Sequence, residues 1–331
     1  MWRDILIYIR LRQDIWSKLS VWLFFIVHVI AVWTFQHYMI ENVWAKHGIT
    51  PLTIICLFII LGLLPYSVIH KLNIKSHWYA IGCLPSAVVL TLLSQESFDL
   101  PSFWGAIVAM VVFIVLVKKQ PKLKCPPLAS NAIIFVLIII VSNFLSNTKE
   151  LTHYKYRIIH CENIGDYQEA LEIGKKSPHT NIDIFNLRTK AMLHTNTLGD
   201  KLFQYPIPNR IDTIATDYDL TTSQRQDVIL CNLLLQKKLP LFVKLLQKFR
   251  DIHSPSLPRY YKEALVVFLS QTIHTDIDFN NNTTQANFND FMTEMKSHSD
   301  LQIRSNICWE LYSDTYFWYY FLSSAKQNND N

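Results

Sequence analysis

The sequence has 331 residues with a formal net charge of +5, half of its residues are hydrophobic, and only 7 are glycine. Residues 1–147 hold 11 Lys and Arg against 5 Asp and Glu, whereas residues 148–331 hold 20 against 21. The later part lacks the basic surplus that nucleic-acid binding needs, so we expect no nucleic acid as a partner. Scarce glycine argues against a sheet with many tight turns and predicts an all-α fold.

Five apolar stretches predict that residues 1–147 form an integral membrane domain. Each is close to the roughly 20 residues that a helix needs to cross the hydrocarbon layer, and charged side chains are almost absent from them. A water-soluble core has no need of five such stretches in succession. The predicted transmembrane helices cover about 20–35, 51–69, 77–94, 100–119 and 131–147.

The basic residues between these stretches predict their orientation, because Lys and Arg resist translocation across a membrane. Ten of them precede the first stretch or follow the second and fourth, and only Lys46 lies in the other connections. Five crossings from a cytoplasmic N-terminus then place residues 148–331 outside the cytoplasm. The first stretch also fits the core of a signal peptide, but its leader of 19 residues and the absence of a small-x-small cleavage site favour an uncleaved anchor.

Few polar groups inside the predicted spans suit transport. His28 is the central ionisable candidate, and Asn143 lies near the end of the fifth span. Ion pathways usually use several such groups, so we interpret His28 as a packed, neutral side chain.

Residues 148–331 predict a domain of amphipathic helices that begins with a helical hairpin. An apolar face precedes a break at Gly165-Asp166, and "YQEAL" then starts a second helix. These residues resemble the tetratricopeptide repeat, whose second helix opens in this way. A second Gly-Asp pair follows 34 residues later, although Gln204 and Pro206 depart from the pattern. The residues that we assign to the repeat framework are Tyr154, Gly165, Asp166, Tyr167, Ala170, Leu171, Gly199 and Asp200.

The resemblance also implies a binding face, because ligands of this repeat family lie along the concave surface formed by the first helices. The corresponding positions here are Thr152, Lys155, Ile159, Glu162, Asn163, Asn186, Thr189, Leu193 and Asn196. Tyr156 and Ile159 replace the Asn residues of the carboxylate-clamp variety, so capture of a free C-terminus is not expected. Ordinary solvent-facing helix surface is an equally good interpretation of these positions.

Over the whole chain, the arrangement is similar to a family of uncharacterised bacterial membrane proteins with several N-terminal spans and a helical-repeat tail. The motifs that carry this resemblance are "LGDKLFQYP", "LPRYYKEAL" and "DTYFWYYF". It implies a location in the bacterial inner (cell) membrane and implies no activity.

Two segments of the C-terminal half, one polar and one aromatic, interrupt the pattern of amphipathic helices. The polar residues 276–290 predict a surface loop. The aromatic run 313–324 is too short to span a bilayer. It fits the end of a helical core best, and a helix at the membrane interface or a partner-binding patch are the alternatives.

Other motifs give no catalytic or metal site, and we expect no cofactor. Cys161, Cys231 and Cys308 form an odd set of exported thiols, for which packing is favoured and one disulfide stays open. Asp217 and Asp219 are spaced as in some sugar-nucleotide transferases, but no strand precedes them, so a solvated loop is favoured.

These features predict a membrane-anchored helical-repeat protein that binds or scaffolds an envelope protein or peptide, rather than an enzyme. Its partners are membrane lipid and this protein or peptide, and its oligomeric state stays open. The alternative is a membrane enzyme or transporter that acts on an envelope lipid or glycan, with the repeat tail as regulator. Its candidate residues at the exported ends of the spans are His37, Glu41, His47, Glu96 and Asp99.

Overall fold

The structure is a computed structural model that describes residues 2–96, 100–208, 211, 213–216, 219–272, 277–297 and 299–327. Across these residues the regular secondary structure consists of fifteen α-helices and two 3₁₀ helices, without a strand, which confirms the all-α prediction. The chain divides into two compact units, Met1–Tyr156 and Arg157–Asn331.

The first unit is built from five long helical segments. They are α1 (Trp2–Ala45), α2 (Pro51–Lys71), a 3₁₀ helix (Ser76–Cys83) that continues into α3 (Leu84–Leu93), α4 (Leu100–Lys119) and α5 (Pro127–Leu145). Proline opens α2, α3 and α5, where its missing N–H has no intrahelical acceptor to lose. The start of α6 (Glu150–Asn163) completes the unit.

Three segments of the described chain are long and apolar enough to cross a membrane: Ile15–Ala45, Pro51–Lys71 and Ser76–Leu93. They overlap the first three predicted spans. The fourth predicted span coincides with α4 and the fifth overlaps α5, whose apolar part, Pro127–Asn143, is shorter than the three candidate spans. Three candidate spans are therefore present, and five crossings stay a prediction.

Polar side chains hold the 3₁₀ helix of the first unit in place. Asn131 of α5 accepts a hydrogen bond from the Ala80 N–H at 2.8 Å and donates to the Ser76 carbonyl at 2.6 Å. The 3₁₀ helix also approaches α2 closely at Gly82. A small residue is needed there, since a Cβ on Gly82 would lie 2.6 Å from Ile69 Cγ1. Buried backbone groups that the irregular helix leaves unpaired thus gain partners.

The connections of the first unit alternate between two ends. At one end, the Trp44 indole N–H donates to the Leu93 carbonyl. At the other end, the Lys75 N–H donates to Gln120 Oε1 at 2.8 Å, and the Trp78 indole donates to the Pro121 carbonyl at 3.0 Å. The connections α2–3₁₀ and α4–α5 therefore lie together.

The second unit contains the rest of α6 and nine further helices in the described part of the chain. They are α7 (Tyr167–Glu172), α8 (Ile182–His194), α9 (Leu198–Lys201) with a 3₁₀ turn (Leu202–Gln204), α10 (Thr222–Leu235), α11 (Leu239–Phe249), α12 (Arg259–Gln271), α13 (Asn282–Ser297), α14 (Leu301–Tyr312) and α15 (Tyr316–Gln327).

Aromatic side chains form much of the core of the second unit. The Phe203 ring lies 5.0 Å from that of Tyr260 and 5.1 Å from that of Tyr316, in edge-on contacts. Tyr316, Phe317 and Leu322 are buried. The aromatic run near the C-terminus is thus core, as the first of its three interpretations expects.

The prediction of a surface loop over 276–290 is wrong from Asn282 onward, because α13 begins there. Asn281 Oδ1 accepts a hydrogen bond from the Thr284 N–H and caps the helix. Phe288 and Phe291, one turn apart, are buried and form the apolar face of α13. The polar composition concealed an amphipathic helix with only a narrow apolar stripe.

Candidate functional site

A cleft of about 530 Å³ lies in the second unit, beside the first turns of α12 and α13. The cleft is lined by two acidic and two basic side chains, so the formal charge of its lining is zero. The polar lining consists of Asp200, Ser256, Arg259, Lys262, Glu263, Asn281, Thr283, Thr284 and Asn287. We call this site the α12–α13 cleft.

Arg259 organises one wall of the α12–α13 cleft. Its Nε lies 2.8 Å from Glu263 Oε1, and its Nη1 lies 3.1 Å from Asp314 Oδ2. Glu263 is only 5% exposed, and its Oε2 accepts a hydrogen bond from the Tyr316 N–H at 2.6 Å. The carboxylate therefore joins α12 to the first turn of α15, where a negative charge is favourable.

The electrostatics of this wall are dominated by burial. Burial raises the pKa of the Glu263 carboxyl to about 7, while Arg259 and the Tyr316 N–H act in the lowering direction. Shifted carboxyl groups occur both at functional sites and in structural ion pairs. Both oxygens of Glu263 already accept hydrogen bonds, so the geometry assigns Glu263 to support of the wall rather than to proton transfer.

Further hydrogen-bonding groups line the α12–α13 cleft. Asp200 Oδ1 accepts from the Arg259 N–H at 2.7 Å and caps α12. Lys262 Nζ donates to the Pro255 carbonyl at 3.0 Å, and Asn287 is exposed. The lining thus offers both donors and acceptors, which suits a neutral, polar chain such as a peptide backbone.

The predicted binding-face residues are divided between the two units. Thr152 and Lys155 belong to the first unit and the other seven to the second. Thr152, Thr189 and Leu193 are buried. Their side chains are therefore removed from the surface that a partner meets.

Two further residues of the predicted face form ion pairs. Lys155 Nζ lies 3.4 Å from Glu96 Oε1, within the first unit. Glu162 Oε2 lies 2.9 Å from Lys190 Nζ, and the Glu162 side chain is 6% exposed. Ile159, Asn163, Asn186 and Asn196 keep accessible surface, and the predicted role now depends on these four residues.

The two Gly-Asp pairs of the predicted repeat have different structural roles. Gly165 has φ +79° and ends α6, and Asp166 caps α7 through the Glu169 N–H. Gly199 lies inside α9, where an added Cβ would be 2.7 Å from Pro258 Cβ. Asp200 caps the distant α12 instead of its own helix.

The remaining framework residues pack as a hairpin requires. Ala170 and Leu171 are buried, and the Tyr167 ring stacks on His194 at 4.1 Å. Tyr154 is half-buried. However, α7 has six residues and α9 has four, so a regular array of paired helices stays a prediction.

The other candidate residues bring no catalytic group together. Cys161, Cys231 and Cys308 are buried free thiols. Asp217 lies outside the described residues. Within the described chain, no group of three or more His, Cys, Asp or Glu side chains suits a metal ion.

The described residues of the alternative enzymatic site are not assembled into a catalytic geometry either. Glu96 accepts a hydrogen bond from the Tyr156 hydroxyl at 3.0 Å, and His37 Nδ1 lies 3.1 Å from the carbonyl of Trp33. Asp99 falls outside the described residues, Glu41 lies on α1, and the His47 ring is 6.1 Å from that of Trp44.

Sequence reasoning missed the α12–α13 cleft. A signal was present, because "LPRYYKEAL" combines a proline helix start with Arg259 and Glu263 one turn apart. The contacts that complete the cleft come from Asp200 and Asp314, which are 59 and 55 residues away from Arg259. A local sequence pattern does not predict hydrogen-bond partners that are so far apart in the chain.

Residues 209–324 match DUF6057, described as a family of unknown function. The matched region contains α10 to α14, most of α15 and every lining residue of the α12–α13 cleft except Asp200. It also contains two of the three motifs that suggested an uncharacterised family, "LPRYYKEAL" and "DTYFWYYF". Comparisons with curated proteins and with solved structures give no match.

Proposed function

We propose that the chain is a membrane-anchored helical protein whose second unit binds an envelope protein or peptide. The first unit crosses the bacterial inner membrane five times with a cytoplasmic N-terminus, and the second unit acts outside the cytoplasm as a tetratricopeptide-like scaffold. The α12–α13 cleft takes an extended segment of the partner.

The α12–α13 cleft is the observation that carries the binding role. Hydrogen bonds of Glu263 and Asp200 tie α12 to α15 and α9, and Lys262 and Asn287 line the opening, where a ligand can reach them. Binding sites commonly combine such preorganised polar groups with concave shape. The absence of an assembled nucleophile and base among the described side chains gives the alternative function no comparable support.

Site-specific photo-crosslinking in intact cells tests this proposal. A photoreactive amino acid replaces Asn287 at the cleft, and Lys244, an exposed residue of α11 that does not line the cleft, serves as the matched control position. We expect a discrete adduct from position 287 and none from position 244.

A charge reversal at Lys262 tests whether the adduct depends on the α12–α13 cleft. Lys262→Glu adds a negative charge beside Glu263 and should reduce the adduct from position 287 several-fold, whereas Lys244→Glu should leave it unchanged. Equal adducts from both positions, or none from position 287 under any growth condition, would remove the α12–α13 cleft as a binding site.

A further inference from the structure

One end of the first unit carries a dense group of exposed lysines. They lie at the end of α2, at the end of α4, and in the connections that follow these helices. The six residues, which we call the basic end, are Lys71, Lys75, Lys118, Lys119, Lys122 and Lys124. None of the six forms an ion pair within the described chain.

The fold brings the two lysine-bearing connections together. The Lys75 N–H donates to Gln120 Oε1, and the Trp78 indole N–H donates to the Pro121 carbonyl. These bonds join residues 45 and 43 positions apart in sequence. The six amines thus belong to a single surface rather than to two separate loops.

The same packing turns the lysines outward. Ile74 is buried in the core of the unit, and Leu123 packs against that core. Adjacent residues in an extended segment point to opposite sides, so Lys75, Lys122 and Lys124 face away from the unit. The amines are held at the surface by apolar neighbours rather than by salt bridges.

The negative charges of the described residues do not neutralise the basic end. The C-termini of α2 and α4 each contribute about half a negative charge. Glu41, Glu96 and Glu150, the acidic side chains that the structure describes in this unit, belong to segments near the opposite end, where Trp44 meets Leu93. About five of six positive charges therefore remain uncompensated by these groups.

An apolar surface directly adjoins the basic end. Val111, Ile114 and Val115 of α4 are 54%, 48% and 43% exposed, and Lys118 follows Val115 by one helical turn. In a bilayer, this order places the amines at the depth of the lipid headgroups.

We infer that the basic end binds the headgroups of anionic phospholipids and that the first unit selects them over zwitterionic lipids. The inference rests on the proposed embedding of the first unit in a membrane. Clustered lysines beside a membrane span attract anionic lipid electrostatically. The chemistry recognised is the phosphodiester together with the net negative charge of the headgroup.

Lipid-selective quenching tests the inference on the full-length chain. The protein is reconstituted in phosphatidylcholine vesicles that contain a small fraction of either brominated phosphatidylglycerol or brominated phosphatidylcholine, and quenching of tryptophan fluorescence gives the relative association of the two lipids. Both leaflets have the same composition, so protein orientation does not affect the result. We expect phosphatidylglycerol to be preferred about fivefold or more at low salt.

Matched variants identify the residues responsible. Lys→Gln at all six positions of the basic end should reduce the preference to near one, and Lys→Arg at the same positions should preserve it. Lys→Gln at the exposed positions 176, 238, 244 and 248 of the second unit is the control and should change nothing. In the wild-type chain, about 0.5 M salt should weaken the preference by screening.

The possible results separate the two proposals. Equal quenching by both lipids in the wild-type chain overturns lipid selection and leaves embedding intact. A preference that survives the Lys→Gln substitutions in a folded variant, or that ignores salt, also overturns it. Quenching by neither lipid overturns the embedding itself.

Discussion

The two units have similar helical backbones but opposite outer surfaces. Among the described residues, 29 exposed large apolar side chains belong to the first unit and six to the second. A soluble protein rarely exposes apolar surface on this scale, whereas a lipid-facing surface consists of it. The comparison shows that the direction in which apolar residues point, rather than helix content, indicates the surroundings of each unit.

The interiors of the two units also differ. In the first unit, the backbone approaches Ile69 closely at Gly82, and the small residues Ala80 and Ala87 are completely buried, which suits association in lipid, where small residues allow tight packing. The second unit is closed by large aromatic groups such as Tyr260 and Phe242, which are completely buried. Burial of large apolar area is what stabilises a fold in water.

A matched pair of phenylalanines gives the largest expected contrast. Phe242 is 0% exposed in the second unit, and Phe24 is 63% exposed in the first. Phe242→Ala should lower the free energy of unfolding by about 3–5 kcal/mol, because it leaves a cavity. Phe24→Ala should cost less than about 1 kcal/mol, since most of the side chain is exposed and its ring lies 6.4 Å from that of Phe135. Denaturant unfolding of the full chain in mild detergent, followed by circular dichroism, measures both.

The next contrast introduces a charge at two exposed apolar positions. Val111 of α4 is 54% exposed and Leu241 of α11 is 46% exposed. Val111→Lys should disfavour membrane insertion by about 2.5–3.5 kcal/mol. Leu241→Lys should stay within about 0.5 kcal/mol of the original stability. The fraction of chain that resists alkaline extraction from membranes reports the first effect, and equal tolerance of both substitutions would contradict the comparison.

The buried carboxyl of the second unit predicts a pH dependence with a definite sign. Burial raises the pKa of Glu263 from 4.5 to about 7. The folded state then holds the proton more tightly than the unfolded state. This contribution to stability is complete below pH 4.5 and is lost as the pH rises through about 7.

The change in free energy of unfolding has an upper limit of about 3 kcal/mol. Unfolding of the second unit, measured in detergent between pH 5 and pH 8, gives this slope. Glu263→Gln should flatten it. A slope of the opposite sign in the unaltered chain would show that Arg259 and the Tyr316 N–H outweigh burial.

The two predicted repeat glycines give the smallest contrast. Gly199→Ala should cost about 2 kcal/mol, because the new Cβ meets Pro258 and Tyr261. Gly165→Ala should cost about 1 kcal/mol through its left-handed backbone, since no atom lies within 4 Å of its Cβ position.

Replacement by Asn separates the two causes. Asn tolerates positive φ, so Gly165→Asn should recover stability relative to Gly165→Ala. Gly199→Asn should be worse than Gly199→Ala because it is larger. Equal responses at the two sites would mean that both glycines have the same role, as a regular repeat requires.

Sequence patterns predicted the parts of the fold that depend on local information. Apolar length identified α2 and the segment 76–93, and the Gly165-Asp166 break identified the end of α6. The sequence did not reveal that Thr189 and Leu193 are buried, because several faces of α8 meet neighbours. When a helix has neighbours on several faces, tertiary packing decides which of its residues are buried. The spacing of apolar residues along the sequence does not describe this packing.

The α12–α13 cleft illustrates the same limit for the site. Proline and the Arg259–Glu263 spacing are local and visible in the sequence. The Tyr316 N–H that fixes Glu263 is 53 residues away, and no periodicity connects them. The parts of the site that could not be predicted from the sequence therefore depend mostly on long-range polar contacts.

Thiol labelling in intact cells tests the central claim most directly, which is that the second unit lies outside the cytoplasm and the basic end lies inside. In a chain without its native cysteines, Lys176→Cys in the second unit and Lys122→Cys at the basic end are treated with a membrane-impermeant maleimide. We predict that position 176 is labelled in intact cells and that position 122 is labelled only after the membrane is permeabilised. Labelling of position 122 with protection of position 176, or equal labelling of both, would contradict the account.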